Sequence, residues 1–129
     1  MDVRRAIVVR EVSADESIAD VVNEAKAMTW IHRSEHALLR IADGRLMLVR
    51  GGADGIELDQ VDDEIRIEVD GASHKVSLLA WHTHPRPTGP SDHDFRLLQL
   101  LGQPDSRIYE MFGDSAGVRF YARHRKAVK

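Results

Sequence analysis

The spacing of hydrophobic and polar positions changes several times along the chain, and each change predicts an element. Arg5 to Val12 is apolar and β-branched, and reads as an opening strand. Ser13 and Glu16 stand at the spacing of a capping box. Ile18, Val21, Val22, Ala25 and Met28 then recur at helical intervals, which predicts a helix from Ser13 to about Trp30 with one buried stripe. His36 to Ala42 and Arg45 to Arg50 flank Asp43-Gly44, a dipeptide that tolerates positive φ, so these segments are expected to pair as a hairpin ending at Gly51-Gly52.

Further on, Ile65, Ile67 and Val69 alternate like a strand. Lys75 to Trp81 is more uniformly apolar, as a central strand would be, and runs into His82-Thr83-His84-Pro85. A loop rich in Pro and Gly continues to Pro90. A helix from Ser91 to about Leu101 follows, then short strands at Arg107 to Phe112 and Val118 to Arg123, then a basic tail. The order β, α, ββ, ββ, α, ββ predicts one α+β domain over residues 1–129, a mixed sheet flanked by an N-terminal helix and a helix after the histidine loop.

Composition narrows the function. A chain of 129 residues is too short for a TIM barrel, which needs about 250. With 18 Lys and Arg against 21 Asp and Glu, the net field offers nucleic acid no attraction. Apolar runs such as Ala6 to Val9 and Leu78 to Trp81 fall far short of the roughly 18 residues of a membrane span. Only a short apolar run separates Arg5 from Arg10, so no signal peptide is expected. The absence of cysteine excludes disulfides, thiolate zinc sites and cysteine nucleophiles, and fits a cytoplasmic protein. Any metal must therefore use His, Asp or Glu. Between Ala53 and Ser73 lie eight acidic residues and one basic residue, Arg66. This dense negative field is expected either to attract a basic partner or to serve as a solvated loop.

The candidate chemistry begins at the histidines. His82 and His84 are two apart at a strand end, so their side chains leave one face and can converge on an ion. After a spacer of six residues, Ser91-Asp92-His93-Asp94 opens the next helix, with Asp94 one turn in, where its carboxylate can reach back to the strand end. Two His and one Asp, with water in the fourth position, make an open zinc site of the catalytic type. S-x-x-D before an apolar run is also a helix cap, so Ser91 and Asp94 have a second reading, and Asp94 is not expected to cap and ligate at once.

HxHP, a Pro-rich loop and SxxD together resemble the JAMM motif of the MPN-domain metalloproteases, in their compact bacterial form. The resemblance covers most of the chain from the first helix onward and implies an MPN-like α+β fold. It implies zinc held by His82, His84 and Asp94, with Ser91 helping to stabilise the tetrahedral intermediate. The spacer before Ser91 is shorter than is usual in the family, so the loop must close more tightly. The family also has an upstream glutamate acting as general base. Of Glu11, Glu16, Glu24 and Glu35, the best candidate is Glu35, which heads the inward face of Ala37, Leu39 and Ile41.

The implied activity is zinc-dependent cleavage of a peptide or isopeptide bond at the C-terminus of a ubiquitin-like or sulfur-carrier protein with a flexible tail. Toxin-like effector peptidases and non-catalytic MPN scaffolds are the alternatives. Among the other histidines, His32 suits a helix C-terminus. His36 faces away from Glu35, His74 and His124 look like surface residues, and His93 points away from Asp94. Trp81 is expected in the core, on the strand face opposite the histidines.

Overall fold

The computed structural model describes residues 1–123, so His124 and the basic tail lie outside the described residues. The opening strand is divided at Ala6 into β1 (Val3–Arg5) and β2 (Ile7–Val12). Helix α1 (Ile18–His32) starts four residues later than the Ser13-Glu16 spacing predicts. Ser17-Ile-Ala-Asp20 carries a rival cap pattern, and Ser17 is the residue whose hydroxyl accepts from the Asp20 amide. Ser13 and Glu16 close a turn instead: Glu16 accepts from the Ser13 amide and gives both carboxylate oxygens to Arg10. The later start leaves Ile18 exposed, while Val21, Val22 and Ala25 carry the buried stripe.

Strands β3 (His36–Ile41) and β4 (Leu46–Arg50) form the expected hairpin about Asp43-Gly44. The acidic segment holds more structure than one strand: β5 (Gly55–Glu57), β6 (Asp59–Val61) and β7 (Glu64–Val69). β5 lies parallel to β1, a pairing with a partner some fifty residues away in sequence. β7 turns into β8 (Ala72–His84) through Asp70-Gly71, both at positive φ (51° and 82°), as a two-residue hairpin turn requires. Beyond the histidine loop come α2 (Asp92–Leu101), β9 (Asp105–Glu110) and β10 (Val118–Tyr121).

The main sheet runs β10-β9-β8-β3-β4-β2, and β7 joins the first part of β8 and carries β6. β8 is antiparallel to β3 and parallel to β9, with α2 as the crossover. The domain is therefore α+β with a mixed sheet and one helix on each face. On the α1 face, Val22, Ala25, Leu38, Leu48 and Trp81 pack together. Ala37, Leu39, Val49, Ile67, Leu98 and Ile108 form the core on the other face, beneath α2. Full burial of each large side chain contributes about 1.5–3 kcal/mol.

One irregularity sets up the site. In the β3–β8 ladder Leu38 pairs with Trp81 but Leu39 pairs with Leu79, which leaves Ala80 as an extra residue. This bulge lets Leu79 and His82, three apart, share the α2 face, while Trp81 turns to α1. Trp81 is in the core as expected, edge-on to Tyr109. Among the described residues no helix is long and apolar enough to cross a membrane.

Candidate metal centre

The site lies at the carboxyl end of β8, where the chain leaves the sheet for α2. Alternation along β8 puts His82 and His84 on the α2 face and Thr83 on the reverse face. Glu35 immediately precedes β3 and extends the β3–β4 pairing, its amide donating to Gly52 and its carbonyl accepting from Gly51. Gly52 is required there, since a Cβ would stand 2.2 Å from the Asp2 carbonyl oxygen. Asp94 comes from the first turn of α2.

These elements bring Glu35, His82, His84 and Asp94 together, with one donor atom from each within 4.8 Å of the others. His82 Nε2 lies 3.0 Å from His84 Nε2 and 3.1 Å from Asp94 Oδ1. His84 Nε2 is 3.3 Å from Asp94 Oδ2 and 3.6 Å from Glu35 Oε2. All four residues are buried, none more than 5 % exposed.

Asp94 caps α2 and also stands in the cluster, so the cap does not draw its carboxylate away from the histidines. Its Oδ2 accepts from the Ser91 amide at 2.9 Å while Oδ1 faces His82, and the Ser91 hydroxyl accepts from the Asp94 amide. A carboxylate has acceptor sites enough for both tasks. The cap directs the carboxylate back across the helix N-terminus toward the strand end.

The electrostatics favour a cation. Burial, with the Asp94 and Asp54 carboxylates adding to it, pushes the Glu35 carboxyl up to about 9. Burial also works against ionisation of Asp94, but hydrogen bonds from His82 and His84 outweigh it and hold Asp94 well below the ordinary range. Burial lowers the affinity of His82 for a proton, so its neutral, ligating form is favoured.

The donor set fits a small divalent ion. Ligand atoms about 2.0–2.1 Å from a tetrahedral zinc ion stand about 3.3–3.4 Å apart, close to the 3.0–3.6 Å that separates His84 from the other three groups and His82 from Asp94, while the whole set lies within 4.8 Å. Two imidazoles and a carboxylate, with a second carboxylate beside them, are a zinc-type set. The His84 ring has an outer partner in Thr88, 3.3 Å from its Nδ1, whereas His82 Nδ1 is buried and unpaired among the described residues.

The other candidates lie elsewhere. Glu16 and Glu24 both bind Arg10, and Glu11 is exposed near Arg45. Asp92 is exposed and paired with Arg123. The ring of His93 is turned from the cluster, with Nε2 2.7 Å from the Ile56 carbonyl oxygen. His36 does face away from Glu35, but it is wholly buried, and burial lowers its pKa to about 4. Its place in an apolar strand start was the available signal for that burial. Comparisons of the chain with protein-family models, with curated proteins and with solved structures gave no match.

Proposed function

We propose that the protein is a zinc-dependent metallohydrolase of the JAMM type, cleaving a peptide or isopeptide bond at the C-terminus of a ubiquitin-like protein. The observation that carries this reading is the buried set of His82, His84 and Asp94 with a fourth group, Glu35, whose carboxyl is primed to hold a proton.

Zinc in such a site supplies Lewis acidity, which polarises a carbonyl and acidifies water. His82, His84 and Asp94 would hold it, two neutral imidazoles and one ionised carboxylate. Beside a cation the ionised form of Glu35 is favoured, which brings its proton affinity down from about 9 toward the working range. Glu35 is then suited to take the proton of an attacking water and return it to the leaving amine. Ser91 stands at the N-terminus of α2, where its hydroxyl proton remains free to donate to a developing oxyanion. No nucleophilic side chain is needed, in keeping with a chain that lacks cysteine.

The substrate class rests on the motif resemblance and on the acidic segment, which suits a basic flexible tail. A cysteine-free chain also suits the reducing cytoplasm. The test is metal analysis of protein purified without chelator, followed by incubation with a ubiquitin-like or sulfur-carrier protein fused through its tail to a reporter. About one zinc per chain and chelator-sensitive release of the reporter are expected. A chain without zinc overturns the enzyme reading and leaves a scaffold. A zinc-loaded chain that spares every such fusion overturns the substrate class alone.

A further inference from the structure

Behind the metal cluster, on the α1 face of the sheet, lies a second set of buried polar groups. Thr83, the residue between the two histidines, is fully buried and its Oγ1 is 2.5 Å from Thr29 Oγ1 of α1. The same Oγ1 accepts from the His36 amide at 2.9 Å and reaches the His36 carbonyl at 3.3 Å. The His36 ring has Nδ1 3.0 Å from Thr29 Oγ1 and 3.1 Å from the Ser34 carbonyl, and its Nε2 faces Arg50 Nε at 2.9 Å.

Arg50 fixes the direction of every proton in this set, because a guanidinium N–H only donates. His36 Nε2 is therefore the acceptor and Nδ1 carries the hydrogen, shared between Ser34 and Thr29. Thr29 then donates to Thr83, and Thr83 donates to the His36 carbonyl. Each donor has an acceptor, as a buried polar network must.

We infer that the chain Arg50–His36–Thr29–Thr83 is a positioning network that sets where Glu35, His82 and His84 stand. The inference rests on the metal-centre reading above. The site residues and the network residues alternate: Glu35 beside His36, and Thr83 between His82 and His84. Fixing the reverse side of each strand therefore fixes the ligand side. The device also stands in for another, since among the described residues His82 Nδ1 has no hydrogen-bond partner to orient its ring, the usual means of holding a metal-bound histidine. The ring is held by its edge contact with Phe120 and by the anchorage of its neighbour, Thr83.

The test compares Thr83→Val, Thr83→Ser and Arg50→Ala in the full chain. Zinc affinity is measured by competition with a chromogenic chelator, and ligand geometry by the visible absorption of the Co²⁺-substituted protein. Thr83→Val keeps the shape and loses the hydroxyl. It is expected to bind zinc about 10- to 100-fold more weakly, the usual effect of losing a group that orients a ligand, and to shift the Co²⁺ bands. Thr83→Ser restores both. Arg50→Ala acts from the half-buried end of the network, so it tests the idea even if Thr83→Val fails to fold, and it is expected to change affinity and spectrum in the same direction.

A folded Thr83→Val or Arg50→Ala with wild-type affinity and wild-type bands overturns the positioning role, even if its melting temperature is lower. Wild-type protein that binds neither ion overturns the metal-centre reading itself, and the two failures are thereby distinguished.

Discussion

Asp94 faces His82 with one carboxylate oxygen, Oδ1 to Nε2 at 3.1 Å, while the other, Oδ2, both caps α2 through the Ser91 amide and stands 3.3 Å from His84 Nε2. The helix cap and the proposed ligand role therefore fall on one side chain but can be separated by mutation. Asp94→Ala is expected to lose stable metal binding and to fray the first turn of α2. Ser91→Ala removes only the bond from the Asp94 amide, so it should keep the metal and lower stability by about 1 kcal/mol. If the Ser91 hydroxyl also meets the oxyanion, turnover falls by about 10²- to 10³-fold. Melting temperature, zinc content and rate measured on the two variants separate these roles.

Glu35→Gln should retain zinc and lose about 10²- to 10⁴-fold in turnover, the range for removing a general acid–base group. Near-normal turnover would show that Glu35 is not the base.

The same carboxyl predicts a pH dependence without metal. Its folded-state pKa is raised from 4.5 to about 9, so the folded form binds the proton more tightly than the unfolded form. The associated stability is fully present below about 4.5 and is lost as the pH rises toward about 9. In chelator, wild-type protein should therefore lose melting temperature relative to Glu35→Gln as the pH rises through this window. Parallel curves for the two would mean that the carboxyl is not desolvated.

The acidic segment is partly neutralised within the fold, because Arg5 pairs with Asp59 and lies near Glu68, and Arg66 pairs with Glu64. Asp62 and Asp63, at the tip of the β6–β7 turn, have no such partner among the described residues. If the segment steers a basic tail, replacing Asp62, Asp63 and Glu64 with amides should raise KM at low salt and flatten its salt dependence. That dependence arises as the Debye length falls from about 30 Å at 0.01 M to about 8 Å at 0.15 M. Zinc content should not change. An unchanged KM would return the segment to a solubility role.

Gly52→Ala should destabilise the protein by about 1–3 kcal/mol, the usual range for overpacking, because the new Cβ would meet the Asp2 carbonyl at 2.2 Å. Thermal unfolding measures the loss. An unaltered melting temperature would mean that the N-terminal segment can move aside without cost.

Local patterns explain what was legible in the sequence. Asp43-Gly44 between apolar runs gave the hairpin, alternation put Glu35 on the inward face, and HxH with SxxD drew His82, His84 and Asp94 to one place. The helix start was ambiguous because Ser13 and Ser17 both head cap patterns, and Arg10, by taking Glu16, decided between them. The Asp70-Gly71 turn carried the same signal as Asp43-Gly44 and could have been read. The bulge at Ala80 and the parallel pairing of β1 with β5 depend on partners distant in sequence, and no local pattern reports them. That Arg50 and His36 meet follows from the expected hairpin, in which they are cross-strand partners, whereas nothing local reports that Thr29 of α1 and Thr83 of β8 join them.

The parallel pairing of β8 with β9 has a consequence for synthesis. His82 stands between Ala37 on one side and Ile108 on the other, so the edge of the strand that bears the ligands stays open until the chain has been made through β9. A nascent chain can present all four candidate site residues to the ions around it before that edge is covered. Capture at that stage would favour whichever ion binds a flexible His, His, Asp and Glu set most tightly, and pairing with β9 would restrict the geometry only afterwards. Such non-local strand pairing forms slowly compared with local contacts. The ion found in purified protein is therefore expected to depend on the metal supply during expression as well as on the finished site.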